Sequence, residues 1–268
     1  MTAAAPQLAS QWIASNLRCA MSPYGQWQDG AKVVEIRGAA VIDSGIDYSA
    51  FNAVILSSPV QDGMEELDQR VNAAERYCRA TRRPWSCWVC DELLDARSRV
   101  QCTEVMHRYK LRWIADHEGM LAEGIAPAPD PGIPLRILRV ASGREREDFA
   151  HACAQAFGLP WGTAREVYGS ERFWLTGLHG WVGYWYGLPV ATAVTMVAAG
   201  SVGLYSVGTI SSYQRRGIGE AMTRYALAEA ESDSKAGRAV LQSTRSGSGI
   251  YRRIGFRTVC RFSVYMSR

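Results

Sequence analysis

Gln214-Arg215-Arg216-Gly217-Ile218-Gly219 constrains this chain more than any other stretch. The apolar run Val202 to Thr209 precedes it and reads as a buried strand, and Glu220 to Glu231 follows and reads as a helix. A strand, a glycine-bearing turn and a helix make an anion cradle. The first amides of a helix have no carbonyl partner, and the aligned peptide dipoles leave partial positive charge there. Gly217 and Gly219 let a phosphate approach the backbone, and Arg215 and Arg216 add charge. Spacing excludes two other phosphate loops. A dinucleotide fingerprint needs glycine or alanine three places after Gly219, where Met222 stands. A P-loop needs Lys-Ser/Thr after its last glycine, and here Glu220-Ala221 follows.

The pattern Gln-x-x-Gly-x-Gly between strand and helix resembles the acetyl-CoA pyrophosphate loop of the GNAT superfamily of N-acyltransferases. A second motif lies at the matching distance. Gly249-Ile250-Tyr251-Arg252-Arg253-Ile254-Gly255-Phe256 is similar to the family's tyrosine-bearing helix and its Gly-Phe exit. An ordinary glycine turn at the start of a helix does not predict this second element. The resemblance implies an α/β fold of GNAT type, a mixed and mostly antiparallel central sheet flanked by helices. It implies acetyl-CoA as co-substrate and direct transfer of an acetyl or related acyl group to an amine, without a metal.

The same resemblance assigns residues. The backbone from Gln214, Arg215 and Arg216 through Gly217, Ile218, Gly219 and Glu220 would face the pyrophosphate. Val207-Gly208-Thr209, at the end of the preceding strand, would hold the pantetheine arm through main-chain hydrogen bonds. Thr209 stands where many members carry a second valine, so the backbone role survives that departure. Tyr251 matches the tyrosine that in many members donates a proton to the CoA thiolate; its bland alternative is a packing tyrosine. Thr244, seven residues earlier, replaces an asparagine that touches the cofactor, and its hydroxyl cannot copy the amide.

Composition fits a folded domain rather than a disordered chain, with 47% hydrophobic and 21% charged residues over 268 positions. Seven cysteines are too few for a disulfide scaffold and favour reduced thiols and a cytoplasmic location. Met1-Thr2-Ala3-Ala4-Ala5-Pro6 lacks the basic and apolar regions of a secretory signal, and no run is long enough to span a membrane. Charge is divided along the chain. Residues 1–130 carry 13 Lys/Arg against 17 Asp/Glu, whereas the remainder carries 17 against 9, a net of +8 that suits an anionic cofactor. No block of Lys/Arg marks a nucleic-acid partner. The expected acceptor is a small-molecule amine, with the protein a monomer or homodimer.

Both halves alternate strands and helices. In the first, residues 7–18 read as a helix, Val33 to Ile36 and Phe51 to Leu56 as strands, and Gln61 to Ala80 as a helix with Met64, Leu67, Val71, Ala74 and Cys78 inward. Trp85 to Cys90 and Leu111 to Ala115 read as strands around a helix at Ser98 to Tyr109. This half lacks the glycine loop and is similar to the degenerate first half of some two-domain GNAT proteins. The expected division is 1–125 for that half, a proline-rich linker at 126–134, and the acetyltransferase domain at 135–268. Cys87-Trp88-Val89-Cys90 is read as two buried small side chains, because zinc needs further ligands at suitable spacing and strand cysteines three apart face opposite ways.

In the second half, Leu135 to Val140 reads as a strand, and Ser142 with Glu145 as a capping box. Phe149, Cys153 and Phe157 mark a helix and Trp161 to Tyr168 another. Strands follow at Trp181 to Tyr186, Val190 to Val197 and Val202 to Thr209, then at Arg238 to Ser243 and Phe256 to Met266, the last closing the sheet. Val202 to Thr209 holds no carboxylate to act as general base. Tyr205, Ser206, His179, Glu171 or a water chain are the alternatives. A missing base keeps open a second function, a CoA- or acyl-CoA-binding or interaction protein with a degenerate active site.

Overall fold

The computed structural model describes residues 6–61, 63–126, 128–130 and 132–267, without the side chains of Pro6 and Met64. The expectations at Met1–Ala5, at Pro127 and Pro131 of the linker, and for the Met64 side chain lie outside the described residues. Packing divides the chain into two compact units. The first is Met1–Met120 with Gln242–Ser246 and Thr258–Arg268, and the second is Leu121–Leu241 with Gly247–Arg257.

The first unit runs α1 (Pro6–Met21), β1 (Lys32–Ile36), β2 (Ala39–Asp43), β3 (Ala53–Leu56), α2 (Met64–Thr81), β4 (Ser86–Cys90), α3 (Ala96–Arg108) and β5 (Arg112–Glu123), whose end enters the second unit. In α2, Leu67, Val71, Ala74 and Cys78 are all buried, as their spacing requires. Glu65 and Glu66 complement the dipole of its first turn, and Arg82 ends it in the left-handed region. Asp95 caps α3 by accepting from the amides of Arg97 and Ser98. β2 is absent from the sequence reading. All five of its residues are buried, so it has no polar alternation to reveal it. It pairs antiparallel with both β1 and β3, and β3 runs parallel to β4. One core joins α2, α3 and a sheet face through Leu67, Val71, Val89, Val105, Met106 and Tyr265.

Asn52 ties the loops of this unit together. Its buried side chain accepts from the Ser44 amide at 2.9 Å and the Ser44 hydroxyl at 2.8 Å. Its amide nitrogen donates to the carbonyls of Ile46, Tyr48 and Pro84.

The second unit contains β6 (Leu135–Arg139), α4 (Gly143–Phe157), α5 (Trp161–Tyr168), α6 (Glu171–Trp174), β7 (Leu178–Trp185), β8 (Leu188–Ala198), β9 (Ser201–Thr209), α7 (Ile218–Ser234), the start of β10 (Arg238–Ser243) and α8 (Ser248–Ile254). Its strand order is β6-β7-β8-β9-β10, antiparallel except for the parallel pair β9 and β10. The Ser142–Glu145 capping box is present, with the Ser142 amide donating to Glu145 Oε2 at 2.8 Å. Phe149, Tyr168, Phe173 and Trp174 form an edge-to-face cluster beneath α4–α6. The chain's last strand is β11 (Arg257–Met266), buried without alternation from Phe262 to Tyr265. Rather than closing the sheet of the second half, it packs with the first unit and pairs antiparallel with β4. Each unit is thus a mixed, mostly antiparallel sheet flanked by helices. Among the described residues no helix is long and apolar enough to cross a membrane.

Candidate functional site

The site begins where β9 leaves its parallel neighbour. The β9–β10 register covers Val202–Ala239 and Gly203–Val240 and goes no further. On its other side β9 stays paired with β8 as far as Thr209–Ala191. The two parallel strands therefore part before Ser206–Thr209, and that stretch turns one backbone edge away from the sheet's hydrogen bonding. A bulge accompanies the parting, with a register shift between Thr192 and Val194. Ser206 takes the extra residue's strain with φ at +48°. The buried Thr192 hydroxyl donates to the Ser206 carbonyl at 2.8 Å and holds the bulge in place.

From Thr209 the chain passes through Ile210 and a short turn, Ser211–Tyr213, into the glycine loop. Gln214 Nε2 donates to the Thr209 carbonyl at 3.0 Å, which closes the loop against the strand end. Arg215 and Gly217 both lie in the left-handed region, at φ +61° and +80°. Gly217 is the N-cap of α7, and a Cβ there would meet nothing within 4 Å. The glycine is therefore needed for its backbone angle and its openness rather than for a tight fit. Ile218, Gly219 and Glu220 form the first turn, whose amides lack upstream helical carbonyls. Ile218 is buried and anchors that turn, while Gln214 to Gly217 are exposed. The Arg216 guanidinium lies 5.7 Å from the Trp185 ring centre and 5.6 Å from that of Tyr213, a double cation–π seat.

α8 docks on this turn. The Cβ position of Gly219 is 3.6 Å from Ile250 Cδ1 and 3.8 Å from Thr209 Oγ1. Arg224 and Arg253 both bind the Glu220 carboxylate, Arg224 Nη2 at 2.9 Å and Arg253 Nη2 at 3.2 Å. The Arg224 hydrogen bond, then that of Arg253, holds this carboxyl below its usual range. The one acidic group in the first turn is thus matched by two cations. Tyr251, half-buried on α8, packs edge-on against Phe256 at 5.9 Å. Burial pushes its hydroxyl up to about 12, so it is a proton-bearing donor at neutral pH.

The unit brings Val207, Gly208, Thr209, Gln214 to Glu220 and Tyr251 onto adjoining elements. Thr244 lies in the segment that packs with the first unit, exposed, its hydroxyl 3.1 Å from that of Ser246. The sequence reading gave Tyr213, Arg224, Arg253 and Phe157 no part in the site's surroundings. Phe157, which marks α4 by its spacing, is half exposed, its ring 2.7 Å from the Cβ position of Gly208. The adjacent Gly158, a left-handed helix stop, was the available signal that the helix face ends there.

The base candidates fall in different places. Ser206 is the bulge residue, and Tyr205 beside it pairs with Val194. Glu171 is exposed and lies 3.8 Å from Arg146. His179 is held low by burial, then by Arg139, with Asp233 opposing. The sheet register sets His179 opposite Thr195 on β8, and Thr195 opposite Leu204 on β9, so His179 lies two strands from β9. A cavity of about 290 Å³ lies elsewhere, lined by Leu135, Ile137, Ala221, Tyr225 and Ala128–Asp130, with Asp130 its sole charge.

No protein-family model and no curated protein matches the sequence. Solved structures do match. A GCN5-related N-acetyltransferase from Kribbella flavida aligns over 100% of this chain and 96% of its own, with TM-score 0.70 and 18% identity. One from Sphaerobacter thermophilus aligns over 97% and 93%, with TM-score 0.57 and 17% identity. A tandem GNAT protein from the clavulanic acid biosynthesis pathway aligns over 90% and 80%, with TM-score 0.56 and 10% identity. The shared feature at these identities is the fold, and the chain has the GCN5-related N-acetyltransferase fold over its length.

Proposed function

We propose that the second unit is an acetyl-CoA-dependent N-acyltransferase that moves an acetyl or related acyl group directly to an amine. The observation that carries this reading is the parting of β9 from β10 directly above a glycine-formed helix start. An extended pantetheine arm bonds along the edge of Val207–Thr209 as an added strand would, and the pyrophosphate rests on the amides of Arg215–Glu220. The amine nitrogen attacks the thioester carbonyl carbon, whose oxygen takes its hydrogen bond from a β9 amide. The carbon–sulfur bond then breaks, the departing thiolate takes the Tyr251 proton, and the proton shed by the acylated nitrogen passes to solvent, which reprotonates Tyr251. Support for that role is the protonated state of the hydroxyl and its helix's docking on Gly219. The acceptor approaches past Phe157 and Trp161, both half exposed at the end of α4 and the start of α5. Their rings favour an amine with an apolar portion.

The test is thiol release from acetyl-CoA by the full chain across a panel of small amines, amino acids and peptide N-termini. Turnover with any acceptor, reduced in Tyr251→Phe, supports transfer. Saturable acetyl-CoA binding without turnover on every acceptor favours the second reading, a CoA-binding protein. That reading is kept because β9 has no carboxylate between Val202 and Thr209.

A further inference from the structure

We propose that Cys90, Glu92 and Cys260 of the first unit bind a Zn²⁺. One thiol of Cys90, one of Cys260 and a carboxylate oxygen of Glu92 all lie within 4.8 Å of one another. Three separately placed backbone positions create this convergence. Cys90 ends β4, Glu92 stands in the turn that follows, and Cys260 belongs to β11. The β4–β11 register sets Phe262 opposite Cys90, which puts Cys260, two residues away, on the same face. Cys87 faces the opposite way into the core of α2 and α3, so the Cys-x-x-Cys pair does not act as a pair.

The three groups are held in place. Cys90 and Cys260 are 2% and 3% exposed. The Arg261 amide donates to Glu92 Oε2 at 3.0 Å, and Cys90 Sγ is 3.9 Å from that oxygen. Gly119 on β5 leaves the Cys260 sulfur its space, since a Cβ there would lie 2.2 Å from Sγ. Tetrahedral zinc, with bonds of about 2.3 Å to sulfur and about 2.1 Å to oxygen, spaces its ligands by roughly 3.5–3.8 Å. Closing the donors from at most 4.8 Å to that spacing needs movements below about 1 Å, within rotamer adjustment. Two thiolates with a carboxylate select zinc over magnesium or calcium. Half-buried Glu92 admits a solvent molecule as fourth ligand. Both thiols release their protons to solvent on binding, and no electron changes hands. The site is independent of acyl transfer and stands or falls without it.

The full chain, purified reduced and stripped with chelator, is titrated with Co²⁺ and then Zn²⁺. The expected result is one Co²⁺ per chain with thiolate-to-cobalt charge-transfer absorption, displaced by Zn²⁺. Zn²⁺ shields Cys90 and Cys260 from alkylation in peptide mapping and raises the melting temperature. Cys260→Ser removes the charge-transfer band, and Glu92→Gln weakens Zn²⁺ by at least about tenfold. Should Cys260→Ser not fold, the wild-type alkylation pattern and Glu92→Gln decide. Absence of the band in the wild type, its survival in folded Cys260→Ser, Zn²⁺ affinity unchanged in Glu92→Gln, or a Cys90–Cys260 disulfide that excludes the metal overturns the proposal.

Discussion

Replacing Gly217 separates backbone strain from charge at the cradle. Gly217 holds φ +80°, and its Cβ position is open. Gly217→Ala therefore introduces no clash and carries only the left-handed penalty, about 1 kcal/mol. A folded domain with several kcal/mol of stability absorbs that, so acetyl-CoA affinity stays within a few-fold of wild type. Gly217→Gln adds bulk, and Gly217→Glu adds the same bulk with a negative charge. A carboxylate about 6 Å from the pyrophosphate costs about 3 kcal/mol per unit charge at an effective dielectric of ~20. At 1.4 kcal/mol per tenfold, that is roughly a hundredfold between Glu and Gln. Gly217 is exposed, so solvent screening reduces the gap, and added salt shrinks it further. Calorimetric titration of each variant with acetyl-CoA and with ADP reads both effects. The two ligands share the pyrophosphate and are expected to lose affinity in parallel. Equal affinity of the Gln and Glu variants, with wild-type binding retained, would refute the cradle.

Tyr251→Phe is expected to leave acetyl-CoA binding intact and lower turnover about a hundredfold, read by thiol release. With its hydroxyl held up at about 12, Tyr251 contributes no alkaline limb to the pH–rate profile below about pH 10. Thr192→Val removes the donor to the Ser206 carbonyl. It is expected to lower stability by about 1–2 kcal/mol and to weaken acetyl-CoA, with denaturant unfolding and titration as the measurements. Asn52→Ala strips several buried partners at once and is expected to cost about 3 kcal/mol, measured by urea unfolding. Glu220 lies below its ordinary value in the folded state, so its stabilisation is present above the unfolded carboxyl value and lost as pH falls. The melting temperature of wild type is expected to exceed that of Glu220→Gln at pH 7, with the gap closing below about pH 4; a gap constant with pH would contradict the ion pairs.

The glycine turn and the helix start after it were legible because glycine and helix-start chemistry are local. Gly217, Gly219 and the strand before them stand within one short stretch, and no distant residue is needed to read them. The helix of Leu67, Val71, Ala74 and Cys78 was legible for the same reason. β2 escaped because a strand buried on both faces loses its polar alternation. The bulge at Ser206 escaped because it arises from Thr192 on another strand, fourteen residues away. The seat of Arg216 between Trp185 and Tyr213 depends on a hairpin and a loop meeting in space. The pairing of β11 with β4 was hidden most deeply. Phe262, Val264 and Met266 share a face by their two-residue spacing, but spacing names a face and not a partner. That pairing is also what sets Cys260 beside Cys90.

Titration of the wild-type chain with acetyl-CoA, with desulfo-CoA and ADP as comparisons, tests the central claim most directly. Saturable binding of acetyl-CoA at one site, retained in weaker form by ADP, is the predicted result. No binding of any of the three, in protein shown to be folded, would contradict the claim and leave the Gln214–Gly219 loop without an anion.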